Sequence, residues 1–200
     1  MTTPIPYALE QLYEDQPKNW VIDSVPAVLA WVPDRHTPLA LGPHLFHVAH
    51  IPVVGGTERV VTVSLTWDLA ELQRHDPSVV DRAARYRTGQ TVHREQLVET
   101  AAYGLAFVAI SVFLPGAQVV GMRVGVAPDI LYDDTPGALR GIEAAGRSSG
   151  GRSALRAVRL GSGKSPGKTK GLLALPDVLE AHISLWCNSP RVSEMVKVKP

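Results

Sequence analysis

Two short segments rich in valine and isoleucine, with a tight turn between them, constrain the fold of this chain most. Residues 119–126 and 140–145 each predict a strand, and the turn sequence Asp-Thr-Pro-Gly at 134–137 separates them. Asp129 and Glu143 are then expected on neighbouring strands. Two carboxylates on adjacent strands can share one hard divalent cation, which takes oxygen ligands and activates water. The segment therefore predicts a metal site.

The remaining pattern predicts one long helix with strands and shorter helices around it. Residues 91–114 form the strongest helix pattern, and their apolar run at 101–114 is too short to span a bilayer. Residues 58–67 predict a strand, 178–187 a strand or a helix end followed by one, and 68–73 and 75–86 two short helices. Residues 1–50, rich in proline and aromatics, predict a helix or two short strands packed on the body.

Composition is that of one globular domain in a reducing compartment. The chain has 200 residues, 45% hydrophobic and 20% charged, which predicts a single domain over 1–200. Within it we expect an N-terminal extension at 1–57 and a core at 58–200. Cys187 is the single cysteine, which excludes an internal disulfide framework and a Cys-rich zinc site. The N-terminus lacks a signal-peptide pattern, so a cytoplasmic location without membrane association is expected.

Charge is distributed unevenly along the chain. Residues 1–146 carry ten Lys or Arg and sixteen Asp or Glu, a net of −6, whereas residues 147–200 carry ten and three, a net of +7. A basic segment of this kind neutralises phosphates, although a solvated surface is the alternative. Residues 147–170 predict flexible basic loops around a short helical stretch at 154–160. We expect this region to close over a DNA backbone.

The acids and their context resemble the PD-(D/E)xK nuclease superfamily. The resemblance rests on two short motifs, Pro128-Asp129 and Glu143-Ala144-Ala145. It also rests on the order of predicted elements between residues 91 and 187, which is helix, strand, strand, helix or loop, and strand. It implies an α/β fold, a restriction-endonuclease-like core with a central mixed β-sheet flanked by helices. It also implies a metal-dependent nuclease that hydrolyses DNA phosphodiester bonds with Mg²⁺ or Mn²⁺ as cofactor.

The resemblance assigns roles to individual residues. Asp129 and Glu143 correspond to the catalytic metal ligands, and the main-chain carbonyl of Ala144 to the backbone ligand. Glu99 matches the acid that many members carry on the preceding helix, and Glu95, one turn earlier, is the weaker candidate. DNA contacts are expected from the basic residues of the C-terminal part, namely Arg147, Arg152, Lys164, Lys168 and Lys170.

Ala145 departs from the pattern, because it stands where the motif has its catalytic lysine. Alanine cannot contact a phosphate or hold a water, so three explanations stay open. The role has moved to Arg147, Lys164, Lys168 or Lys170; the domain is a pseudo-nuclease that binds without cutting; or Ala145 is an engineered substitution. Arginine at 147 would stabilise charge on a phosphate but, being permanently protonated, would activate water poorly.

Alternatives from other classes also remain. A catalytically inactive nuclease-like subunit of a larger DNA complex, a homodimer, and a structural or assembly protein all fit the composition. A phosphate-binding loop at Gly161–Lys164 lacks the required upstream glycine, and Pro166 interrupts the following helix. His44, His47 and His50 recur every three residues, but a strand would place His44 and His47 on opposite sides, which favours a structural role over zinc. A restriction, repair or defence setting follows from the resemblance alone.

Overall fold

The computed structural model describes residues 3–34, 36–39, 42–89, 91–123, 125–163 and 165–200. The described part has an α/β fold in which a central mixed sheet of eight strands is flanked by helices, as expected.

Along the described chain, runs of one to three strands are separated by single helices or runs of helices. In the described residues the strands are β1 Ile5–Ala8, β2 His44–Ile51, β3 Arg59–Thr66, β4 Gly121–Met122, β5 Ile130–Asp133, β6 Leu139–Ser149, β7 Gly161–Ser162, β8 Ser165–Pro166, β9 Val178–Ser189 and β10 Val192–Lys199. The helices are α1 Leu12–Asp15, α2 Lys18–Val21, α3 Ser24–Trp31, α4 Leu69–His75, α5 Val79–Thr88, α6 Arg94–Phe113, α7 Gly151–Leu160 and α8 Lys168–Leu173. A 3-10 turn at Leu9–Gln11 precedes α1.

The central sheet has the order β1-β3-β2-β10-β9-β6-β5-β4, and β7 and β8 form a separate hairpin. β6 runs parallel to β9 and antiparallel to β5, while β5 is antiparallel to β4. β10 runs antiparallel to β9 and parallel to β2, and so joins the β1-β3-β2 part of the sheet to the rest. β1 and β2, from the first 57 residues, therefore belong to the same sheet as the later strands.

Helix α6 is the centre of the main hydrophobic core. It packs between α3 and β6, and its residues Leu105, Phe107 and Ile110 are fully buried. Each such side chain contributes about 1.5–3 kcal/mol through burial. By length and hydropathy alone α6 could cross a membrane, but half of its most apolar window is buried inside the protein.

A glycine sets the distance between α6 and the sheet. A Cβ atom on Gly146 of β6 would lie 2.7 Å from Val98 Cγ1 and 2.8 Å from the Val98 carbonyl oxygen. No side chain fits there without moving the backbone of α6. Gly146 therefore allows α6 to lie directly beside the edge of β6.

Helices α7 and α8 cover the opposite face of the sheet over β9 and β10. Leu155 of α7 and Leu172 of α8 are buried in a second core with Ile183, Leu185 and Val196. This finding corrects the expectation of flexible basic loops at 147–170. The apolar positions of both helices hold them on the sheet, and only short connections in the described part of this region lack helix or strand structure.

The other sequence-based elements agree with the structure to different degrees. Predicted strands at 58–67, 140–145 and 178–187 and the helices at 68–73, 75–86 and 91–114 are all present with shifted ends. The strand expected at 119–126 is wrong beyond Gly121–Met122 among its described residues. Gly125, with φ of 73°, adopts a left-handed conformation that ends the extended segment. Strand β10 is not indicated by the sequence pattern, and Asp129, expected on a strand, instead lies in the bend immediately before β5.

Candidate functional site

The candidate site is a cleft at the edge of β6. Strand β5 pairs with β6 only as far as Ile142, so the edge of β6 beyond that residue borders a cavity of about 630 Å³. Helix α6 forms one wall, and α7 and α8 form the other. The lining residues are Arg94, Glu95, Val98, Glu99 and Tyr103 of α6, Asp129, residues 144–148 of β6, Val158 of α7 and Lys168 of α8.

Asp129 and Glu143 meet beside this edge. Asp129 immediately precedes β5, and its Oδ2 accepts a hydrogen bond of 2.9 Å from the Ala144 backbone N–H. In a strand the N–H and C=O of one residue point to the same side, so the Ala144 carbonyl also faces the cleft. Glu143 is 8% exposed. Two carboxylates and one carbonyl are thus brought close together at the edge of the cleft, although Glu143 itself is not among the lining residues.

Lys168 brings a positive charge to both acids. Its Nζ lies 2.5 Å from Glu143 Oε1 and 3.7 Å from Asp129 Oδ2. Lys168 is the first residue of α8, and the preceding Gly167 lies against the chain at 159–161, where a Cβ atom would come within 2.3 Å of backbone atoms. This close approach fixes the start of α8 over the cleft. The sequence left Lys164, Lys168 and Lys170 as candidates for the motif lysine. Of the two that the structure describes, Lys168 is the one that contacts the carboxylates.

Ala145 leaves room for this arrangement. Side chains at alternate strand positions point to the same face, so Glu143, Ala145 and Arg147 all face the α7 and α8 side of the sheet. Lys168 reaches Glu143 from that side. The amino group that the motif would place at 145 is therefore supplied by a helix 23 residues further along the chain.

The electrostatics of the cleft favour a bound cation. Burial and the charge of Glu143 raise the pKa of Asp129 to about 6, although Lys168 and the Ala144 N–H act in the opposite direction. On α6, Tyr103 donates a 2.8 Å hydrogen bond to Glu99, and burial together with the charge of Asp129 raises the pKa of Tyr103. A cation between the acids would relieve the repulsion that these shifts reflect.

The donor set fits a hard divalent ion. Glu143 Oε2 is buried and has no hydrogen-bond partner within the described structure, so it remains available as a ligand. No group of three or more His, Cys, Asp or Glu side chains suited to a metal occurs among the described residues. Mg²⁺ does not need one, because it commonly binds through one or two carboxylates and keeps several waters. Asp129, Glu143 and the Ala144 carbonyl form such a set.

The other predicted residues are divided between the cleft and its surroundings. Glu99 and Glu95 line the cleft, as does the exposed Arg147. Arg152 instead pairs with Glu58 at 3.0 Å. Lys170 is exposed on α8 and is not among the lining residues, and Lys164 lies outside the described residues.

Sequence reasoning missed two cleft residues. Arg94 is the first residue of α6 and lines the cavity, and Tyr103 lies one helical turn after Glu99. The spacing of four residues between Glu99 and Tyr103 was the available signal, since such pairs meet on a helix surface.

The alternative sites receive no geometric support. In strand β2, His44 and His50 are buried whereas His47 is exposed and lies 3.2 Å from Thr62. The three histidines thus do not converge on one point. The glycines at 161 and 163 belong to the β7–β8 hairpin, and α8 begins only at Lys168, so the described part of this segment does not form a strand, loop and helix that cradle phosphate.

Comparison with known proteins gives no assignment. No protein-family model, curated protein or solved structure matches this chain, and the functional conclusion therefore depends on the geometry of the cleft.

Proposed function

We propose that this protein is a metal-dependent nuclease that hydrolyses DNA phosphodiester bonds in the cleft at the edge of β6. One observation carries the proposal: Asp129 Oδ2 and Glu143 Oε1 both lie within 3.7 Å of Lys168 Nζ. The order of helix α6, strands β4, β5 and β6, helix α7 and strand β9 also agrees with the order that the resemblance to PD-(D/E)xK nucleases implies.

Each group has a role in phosphodiester hydrolysis. The reaction adds water to phosphorus and breaks one P–O bond, so a phosphate monoester and a free hydroxyl are formed. A divalent cation held by Asp129, Glu143 and the Ala144 carbonyl would supply Lewis acidity and lower the pKa of bound water. Lys168 is placed to hold the phosphate and to stabilise the negative charge that develops on its oxygens. Arginine would serve less well, whereas lysine can also position the attacking water.

Cations along the cleft support a nucleic-acid substrate. Arg94 and Arg147 are exposed and line the same cavity as the acids. Each contact to a backbone phosphate releases counterions and makes binding depend on salt. We expect these two arginines to contact the phosphates next to the one that is cleaved.

Cleavage of supercoiled plasmid with Mg²⁺ or Mn²⁺ tests the proposal. The variants are Asp129→Asn and Glu143→Gln, which keep size and remove charge. Asp177→Asn is the matched control, because Asp177 is exposed and does not line the cleft. Wild-type protein and Asp177→Asn should nick the plasmid, whereas the two cleft variants should lose at least about 100-fold in rate.

The other outcomes identify the alternatives. DNA binding without cleavage by the wild type would make the protein an inactive DNA-binding subunit of a larger complex. Absence of both binding and cleavage would leave a structural or assembly role. Cleavage that survives in Glu143→Gln would place the active site elsewhere or indicate a contaminating nuclease.

A further inference from the structure

A second cavity adjoins the cleft. It has a volume of about 360 Å³, and Arg94 and Ser148 line both cavities. We call it the side cavity. Its wall includes Trp31 from α3, Tyr86 and Arg87 from α5, and Asn188 from β9. The size falls within the range of small-molecule sites, about 300–1,000 Å³.

Two buried polar groups in this wall lack partners. Asn188 Nδ2 donates a 2.7 Å hydrogen bond to the Trp31 carbonyl, which fixes the orientation of the amide. Asn188 Oδ1 is then a buried acceptor without a partner in the described structure, and Trp31 Nε1 is a buried donor without one. Trp31 as a whole is 7% exposed. A buried polar group without a partner is destabilising unless something bonds to it, so a ligand with both a donor and an acceptor would suit this wall.

The charges connect the side cavity to the carboxylates. Arg147 and Arg94 line the cleft, Arg94 is shared, and Arg87 lies in the side cavity, where its Nη2 donates to the Asp34 carbonyl at 2.6 Å. Glu95 is the nearest opposing charge on the first turn of α6. From Glu143 to Ser148 the strand extends about 17 Å, at 3.3 Å per residue. A strand of nucleic acid can cover this distance in a few nucleotides.

We propose that the side cavity binds an unpaired nucleotide of the DNA strand whose phosphate lies at Asp129 and Glu143. The inference rests on the proposed function, because it assumes that the cleft receives a DNA phosphate. The edge of a base carries both donors and acceptors, which are complementary to the unpartnered Asn188 Oδ1 and Trp31 Nε1 of the cavity wall. Tyr86 is half-buried and supplies aromatic surface for stacking, which is tolerant of base identity, whereas Trp31, which is 7% exposed, contributes only its N–H.

The consequence for substrate choice is specific. A single stacking residue, Tyr86, suits one unpaired nucleotide, in agreement with the lack of an aromatic and basic ladder in the sequence. The preferred DNA is therefore a duplex with a short unpaired extension or flap, and neither a fully paired duplex nor a long single strand.

Equilibrium binding without divalent metal tests this preference independently of cleavage. Fluorescence anisotropy would compare one blunt duplex with the same duplex carrying three unpaired nucleotides at a 5′ or at a 3′ end. We expect the wild type to bind one of the extended duplexes about tenfold more tightly than the blunt duplex, as one stacked base provides.

Two variants locate the preference. Trp31→Phe keeps an aromatic side chain but removes the N–H together with the five-membered ring, and Tyr86→Leu removes the stacking ring. Each should reduce the tenfold ratio to threefold or less, as base stacking and the indole donor are lost. Trp20→Phe is the matched control, because Trp20 is partly buried and does not line the side cavity; it should keep the ratio. Circular dichroism of each variant checks folding.

Equal affinity for all three DNAs, or an unchanged ratio in both cavity variants, would overturn the inference. The proposed nuclease activity fails separately: plasmid cleavage with equal affinities overturns only the role of the side cavity, and a retained preference without cleavage overturns only the nuclease. Failure of every DNA to bind, together with absence of plasmid cleavage, overturns both.

Discussion

Replacing Lys168 by methionine is the most decisive single change. The substitution keeps the length of the side chain and removes the charge that lies 3.7 Å from Asp129 Oδ2 and 2.5 Å from Glu143 Oε1. At 3.7 Å and an effective dielectric constant of 20, the attraction between Lys168 and Asp129 is about 4 kcal/mol. Part of this is screened by solvent, because the lysine side chain is 25% exposed.

In the transition state, a phosphate oxygen that takes the place of one carboxylate beside Lys168 would gain an attraction comparable to that between Lys168 and Asp129. Removing one such stabilising group costs about 2.7–4 kcal/mol, or 100- to 1,000-fold in rate. We therefore expect Lys168→Met to nick supercoiled plasmid with Mg²⁺ at least about 100-fold more slowly than the wild type. Lys170→Met is the matched control, since Lys170 is exposed on the same helix and the charge change is identical. It should retain the wild-type rate.

A second-site rescue sharpens the test. Ala145 faces the same side of β6 as Glu143, about 6–7 Å along the strand. Adding Ala145→Lys to Lys168→Met should recover at least about tenfold of the lost rate, because a lysine from β6 would then supply the charge. If Lys168→Met cleaves within threefold of the wild type while folded, the assignment of Lys168 is wrong.

Three other parts of the structure can be tested in the same way. Burial lowers the pKa of His182 to about 4, so the folded state favours the neutral form and stability should fall by up to about 3 kcal/mol as pH drops from 6.5 to 4, measured by urea unfolding. Gly146→Ala should destabilise by about 1–3 kcal/mol through contact with Val98, whereas Gly171→Ala, which meets no atom within 4 Å, should not destabilise. With the Asp129 pKa near 6, Mn²⁺ affinity measured by calorimetry should fall about tenfold per pH unit below 6.

Each of these has a clear contrary result. If His182→Gln shows the same loss of stability between pH 6.5 and 4 as the wild type, the histidine is not its source. A Gly146→Ala protein as stable as the wild type would show that α6 can move away from β6 at no cost. Mn²⁺ affinity that is constant from pH 7 to 5, or a pH dependence that persists in Asp129→Asn, would contradict the role of the aspartate.

The proximity of Asp129 and Glu143 could be predicted from the sequence, because local signals bring their two segments together. A turn sequence pairs β5 with β6, and alternation along β6 sets the face of Glu143. These signals are short in range: Asp129 and Ala144, which are joined by a hydrogen bond, are only 15 residues apart in the chain. The α/β fold could be predicted for the same reason.

Lys168 could not be singled out in this way. Its position depends on how α8 packs over the sheet through Leu172, and on the close contact at Gly167. Lysines 164 and 170 have the same local composition around them, so no periodicity separates the three. The side cavity could not be predicted either, because it joins residues from α3, α5, α6, β6 and β9; Trp31 and Asn188, for example, lie 157 positions apart.

The place of β10 in the sheet has a consequence for biosynthesis. β10 lies between β2 and β9, yet it follows all the other described strands along the chain. On the ribosome, β1, β2 and β3 emerge early and can pair, but they have no edge on which to join β9 until β10 has been made. Until β10 is inserted between them, β2 and β9 each present an open edge, and such edges are prone to pair with other chains.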